Sequence, residues 1–256
     1  MTPLHSEVTG PDDAPVLVLG PSLGTDLALF DAQVAALSDD WRLVRFDLPG
    51  HGGSAVPPSG RCTVAGIAAG VLALLDELGV ERFHYAGVSL GGAVGQQLAL
   101  DSGQRLLSLT VCASSARFAD PPSWTARAAT VRAEGTQPLV ASRTGTWWTA
   151  EFAERAPQEV ERLLDMLRAT SPEGYAACCE ALSTFDVRAD LQRITAPTLV
   201  LAEAEDPATP VPMLRQIADA VPGARLVVIR DAAHLPNVQQ PAQVDQALVE
   251  HLRRAS

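Results

Sequence analysis

The chain of 256 residues contains no lysine; all 19 basic side chains are arginine, set against 30 acidic ones, for a formal net charge of −11. Without lysine there is no protein Schiff base, which excludes pyridoxal phosphate enzymes and lysine-dependent aldolases. The phosphate-binding P-loop signature also lacks its lysine. An acidic chain with no basic run offers phosphates little attraction, so no nucleic-acid partner is expected. No unbroken run of 18 apolar residues occurs, so neither a transmembrane helix nor a membrane partner is expected. The first ten residues lack a basic stretch followed by an apolar core, so the expectation is no signal peptide and a cytoplasmic location. Cysteine is scarce. Cys62, Cys112, Cys178 and Cys179 form no CxxC pair, and the adjacent Cys178 and Cys179 suit neither a framework disulfide nor a zinc knuckle. No metal and no cofactor are expected.

What is present describes a folded globule, with 47% hydrophobic and 19% charged residues. A chain of this length can bury about 75% of its unfolded surface as one large domain. Short apolar or β-branched runs at Val16–Leu19, Leu43–Asp47, Phe83–Ala86, Leu107–Cys112, Pro197–Ala202 and Arg225–Ile229 read as strands. Helical periodicity fills Leu27–Leu37, Val64–Leu78, Leu90–Asp101, Met213–Val221 and Ala242–Arg253. Such alternation predicts an α/β fold with a mostly parallel sheet covered by helices on both faces. It stops near Ala119 and resumes near Asp190. The intervening stretch holds Trp124, Trp147 and Trp148 and the helical patterns Pro157–Arg168 and Pro172–Leu182. Residues 1–118 and 191–256 are therefore expected to form the core, and 119–190 a helical cap over the crevice at the carboxyl ends of the strands.

The segment Gly87-Val88-Ser89-Leu90-Gly91-Gly92 contains G-x-S-x-G between an apolar strand and a helix, the context of a nucleophile elbow. A serine nucleophile needs an imidazole base and a carboxylate to orient it. Of five histidines, His5 falls near the N-terminus, His251 on the last helix, His84 within a strand, and His51 between glycines in a turn. His234 follows a strand and a short polar loop, and is the expected base. The order Ser…Asp…His places the acid after the preceding strand, where Asp206 fits, with Glu203 and Glu205 competing in the same loop. The oxyanion donors are expected to be the backbone N–H groups of Leu90 and, in Gly20-Pro21-Ser22-Leu23-Gly24-Thr25, of Leu23. Asn237, the one asparagine, reads as a turn residue in preference to one that hydrogen-bonds to the loop holding His234.

These residues resemble an α/β-hydrolase and, within it, the 3-oxoadipate enol-lactonases of protocatechuate degradation. The resemblance runs through Pro21–Leu27, Phe46-Asp47 with Gly50-His51-Gly52, Gly87–Gly92, Arg132–Gly135, Trp147–Ala150, Glu173–Ala176 with Cys179–Ala181, Asp206–Pro210 and Ala233–Val238. It implies hydrolysis of an enol-lactone through an acyl-enzyme on Ser89 without a cofactor. As a departure from the family, the first strand read is Leu4–Val8 with no edge strand before it, so about seven strands rather than eight are expected. It also implies that Trp147 lines the pocket, with Trp124 and Arg132 as further substrate contacts. Pro49 and Thr146 stand where many members carry arginine, so Arg127, Arg132 and Arg143 are the cations left in the cap for an anionic substrate. Glu203 stands where glycine is usual. A carboxylesterase, a cofactor-free perhydrolase and a non-catalytic binding protein of the same fold are the alternatives. Ser89 excludes the aspartate-nucleophile hydrolases.

Overall fold

A computed structural model describes residues 3–58, 62–118 and 120–255. Its seven strands are β1 (Ser6–Thr9), β2 (Val16–Gly20), β3 (Arg42–Phe46), β4 (Phe83–Val88), β5 (Leu106–Cys112), β6 (Thr198–Glu203) and β7 (Arg225–Ile229). They form one sheet in the order β1-β3-β2-β4-β5-β6-β7, and all neighbours are parallel except the antiparallel β1–β3 edge. β2, β4 and β6 are buried at every residue because helices cover both faces, which is why they read as continuous apolar runs. α1 (Asp31–Leu37) and α11 (Pro241–Ala255) pack together on one side. α2 (Val64–Glu77), α3 (Leu90–Ser102) and α9 (Val211–Ala220) cover the other. Val64, Ile67, Ala68, Val71, Leu74 and Leu75 form the buried stripe of α2, and Thr63 caps its start by accepting from the Gly66 N–H at 2.9 Å.

The helical pattern expected over 27–37 is divided. Asp26 accepts from the Ala28 N–H at 2.9 Å and starts a tight turn, Leu27–Phe30, before α1 begins. Between β5 and β6 the described residues contain no strand of the sheet. They form α4 (Pro121–Glu134), α5 (Gln137–Val140), α6 (Ala150–Arg155), α7 (Pro157–Ala169) and α8 (Pro172–Thr184). Four of these five begin at or beside a proline, where the missing N–H is harmless. α8 docks on the loop after β3, where the Ser171 N–H donates to Gly50 O at 3.1 Å. The short α10 (Pro236–Gln239) precedes α11. Among the described residues no helix is long and apolar enough to cross a membrane.

Candidate active site

Ser89 joins the end of β4 to the start of α3 with φ 57° and ψ −113°, a conformation that costs a non-glycine residue about 1–3 kcal/mol. Its N–H donates to Cys112 O on β5 at 2.9 Å. The sharpness of the turn explains the flanking glycines. A Cβ at Gly87 would lie 2.3 Å from Gly91 C, and one at Gly91 would lie 2.0 Å from Gly20 O. Only bare backbone fits where β2, β4 and α3 converge.

Ser89 Oγ lies 2.8 Å from His234 Nε2, and His234 Nδ1 lies 2.7 Å from Asp206 Oδ2. Asp206 also accepts from Thr209 Oγ1 at 2.6 Å and from the Ala208 N–H at 2.7 Å. Burial opposes the charge on Asp206. The nearby His234 and the hydrogen bonds from His234, Thr209 and Ala208 outweigh it and hold the carboxyl below the usual aspartate value. Glu203, one of the competitors, is fully buried at the end of β6. There burial first, and the Asp206 charge second, push it well above the ordinary carboxylate range. Its Oε1 is 3.4 Å from Cys112 Sγ, and it makes no hydrogen bond to His234. Glu205 is exposed.

Leu90 opens α3, so its N–H has no partner one turn back. The loop before Leu27 is tied down elsewhere: Gly91 N–H donates to Pro21 O at 3.0 Å, Thr25 N–H to Ser22 O at 3.1 Å, and Gly24 N–H to His51 Nε2 at 3.0 Å. The N–H groups of Leu23 and Leu90 make no hydrogen bond among the described residues, the state expected of donors awaiting a negative oxygen. His51 thus acts on the loop through Gly24. Its Nδ1 meets Pro49 O at 3.0 Å, and burial lowers its pKa to about 4, which leaves Nε2 free to accept. The turn reading of His51 had no way to reveal this long-range bond.

The helical segment between β5 and β6 touches His234 directly. His234 N–H donates to Thr146 O at 3.2 Å and Leu235 N–H to Trp147 O at 3.0 Å. Gln239, 3% exposed, reinforces the junction: its Nε2 donates to Trp147 O at 3.0 Å and its Oε1 accepts from Thr149 N–H at 3.0 Å. Trp147 is buried, with its Cη2 3.4 Å from the point where a Cβ on Gly24 would sit. Trp124 packs edge-on to Phe118 with centroids 6.0 Å apart, and carries Arg127 over its ring at 4.6 Å. Arg132 is engaged between α4 and α8, donating to Glu173 at 2.8 and 3.0 Å and also to Glu180.

The remaining histidines are structural. His5 has its Nδ1 2.7 Å from Asp47 Oδ2. His84 pairs with Ser108 Oγ at 2.8 Å, and His251 is buried with its Nε2 3.2 Å from Leu109 O. Asn237 does more than turn the chain. Its Nδ2 donates to Leu29 O at 2.9 Å, fastening the segment after His234 to the segment after the Leu23 loop.

A family profile described as the alpha/beta hydrolase fold matches residues 15–241, and the chain belongs to that family. It is a hydrolase. It is 36% identical over 251 residues to 3-oxoadipate enol-lactonase 2 of Acinetobacter baylyi, covering 98% of this chain and 93% of that protein. The crystal structure of the enol-lactonase from Burkholderia xenovorans LB400 superposes with a TM-score of 0.94 at 36% identity, covering 98% of this chain and 96% of that one. A protein of Stutzerimonas stutzeri that carries the name carbamate hydrolase RutD is 32% identical, over 97% of this chain and 96% of its own.

Proposed function

We propose that this chain is a serine hydrolase of carboxylic esters that opens 3-oxoadipate enol-lactone to 3-oxoadipate. The observation that carries the reading is the unbroken relay Asp206–His234–Ser89, and the similarity to enol-lactonases over nearly the whole chain supports it. Ser89 Oγ attacks the ring carbonyl as His234 Nε2 takes its proton, while Asp206 steadies the resulting imidazolium. The carbonyl oxygen becomes an oxyanion held by the N–H groups of Leu23 and Leu90, each worth roughly 3 kcal/mol to the transition state. The ring C–O bond then breaks. The leaving oxygen is an enolate; it takes up the proton that His234 removed from Ser89, which restores the neutral imidazole, and relaxes to the ketone while remaining tethered through the acyl-enzyme. Water, deprotonated by His234, cleaves the acyl ester, and the proton returns to Ser89.

The test follows the ultraviolet absorbance of the enol-lactone beside a panel of small esters, with serine labelling by a fluorophosphonate. Wild type is expected to consume the lactone and take the label, and Ser89→Ala to do neither. Equal labelling of both would remove Ser89 as nucleophile. Fast aryl-ester cleavage with no lactone turnover would assign the chain to the esterases.

A further inference from the structure

Two arginines buried to the same degree are treated in opposite ways. Arg45, 6% exposed, is matched by Glu7 at 2.8 Å and Asp31 at 2.9 Å. Arg143, 5% exposed, forms no ion pair among the described residues. Its Nε donates to Leu139 O at 3.0 Å and its Nη2 to Ser142 Oγ at 2.8 Å, while Nη1 makes no hydrogen bond among them. The guanidinium otherwise rests on a ring, 5.1 Å from the centroid of Trp147. Neutral acceptors and one aromatic face offset only part of the loss of water around a cation. A site that keeps such a charge unpaired has capacity for an anion brought from outside.

The surroundings place that capacity next to the chemistry. Trp147, on which Arg143 rests, and Tyr175 press on Gly24: a Cβ there would lie 3.4 Å from Trp147 Cη2 and 3.0 Å from Tyr175 Cε2. Gly24 immediately follows Leu23, whose N–H is free for the substrate carbonyl. Arg127, over the face of Trp124 at 4.6 Å, acts electrostatically on both Tyr175 and Arg143, and it too lacks an ion pair among the described residues. Arg132, by contrast, is already neutralised by two glutamates.

We propose that Arg143, with Arg127 behind it, is the subsite for the carboxylate of the substrate, and so selects anionic lactones or esters over neutral ones. The choice of substrate class rests on the lactonase reading, and the experiment separates the two. Hydrolysis of uncharged phenyl acetate is measured with levulinate, a small keto acid, as competitor, for wild type, Arg143→Gln and Arg143→Lys. The ratio of kcat/KM for enol-lactone over phenyl acetate is measured on the same preparations. Both rates of a variant come from one folded fraction, so partial misfolding cancels in the ratio. The expected result is competition by levulinate in wild type, a rise in its Ki of about tenfold or more in Arg143→Gln, and partial recovery in Arg143→Lys, on the scale of one charge-assisted hydrogen bond. The substrate ratio should fall by a similar factor in Arg143→Gln. No competition in wild type, an unchanged Ki in Arg143→Gln, or equal loss on both substrates overturns the proposal. Lost levulinate competition in Arg143→Gln, with no lactone turnover by wild type, keeps the anion subsite and removes the lactonase reading.

Discussion

The floor of the site and its roof hold their charges differently. At the crest of the sheet, Asp206 is saturated by His234, Thr209 and Ala208, and Asp47 accepts from His5, Leu27 N–H and Gly53 N–H. In the cap, Arg127 and Arg143 lie on tryptophan faces with no carboxylate partner among the described residues. Under the proposed roles, groups that perform chemistry are fixed before substrate arrives, whereas groups that recognise substrate retain spare hydrogen-bonding capacity. Four substitutions probe that division.

The largest effect is expected on the floor, where two acids near each other have opposite assignments. Asp206→Asn should lower kcat by about four orders of magnitude in the lactone assay, because the imidazole loses its orienting acceptor. Glu203→Gln should leave kcat of the same order. Because its pKa is raised in the folded state, Glu203 loses folding stability as pH climbs above the ordinary carboxylate value. Glu203→Gln should therefore flatten that loss in urea titrations between pH 6 and 9. A collapse of activity in Glu203→Gln, with Asp206→Asn still active, would exchange the two roles.

The next effect links the floor to acid stability. His51 has its pKa lowered to about 4 by burial, while in the unfolded chain it takes a proton near 6.5. The unfolded state therefore binds more protons between these values. Stability should be complete above pH 6.5, decline as pH falls toward 4, and level off below. The contribution of His51 over that window is about 3 kcal/mol. His51→Gln should show a shallower fall in denaturant midpoint from pH 7 to pH 4.5. An unchanged slope would mean that His51 is charged or exposed in the folded enzyme.

The smallest effect belongs to the outer surface of the cap. The side chain of Arg132 is 31% exposed in its pairs with Glu173 and Glu180. Arg132→Ala should cost no more than about 1 kcal/mol of stability and leave the lactone-to-phenyl-acetate ratio unchanged. A ratio that falls in Arg132→Ala as it does in Arg143→Gln would erase the distinction between paired and unpaired cap cations.

Much of the sheet and the elbow was legible because their causes are local. The apolar runs of β2, β4 and β6 follow from two-sided burial, Gly87 from backbone packed against Gly91, and Gly91 from backbone packed against Gly20. The order of strands and loops singled out His234 and Asp206, which the structure brings together with Ser89. The cap cations were not legible. Arg132, Arg127 and Arg143 look alike as letters, and the glutamates that neutralise Arg132 lie 41 and 48 residues away. The same distance problem hid the bonds from His51 to Gly24, 27 residues apart, and from Gln239 to Trp147, 92 residues apart. No periodicity or turn chemistry encodes such pairs.

The bonds from His234 and Leu235 to Thr146 and Trp147 set a rule for recombining this enzyme with its relatives. A chimera that exchanges the cap at the borders of its helices also replaces residues that fix the height and tilt of the imidazole. Transplanting a new specificity therefore requires moving 146–149 together with 233–239 as one cassette, although these segments are far apart in the chain. Libraries that vary only the roof would mix gains in recognition with losses in alignment, and a poor clone would reveal neither.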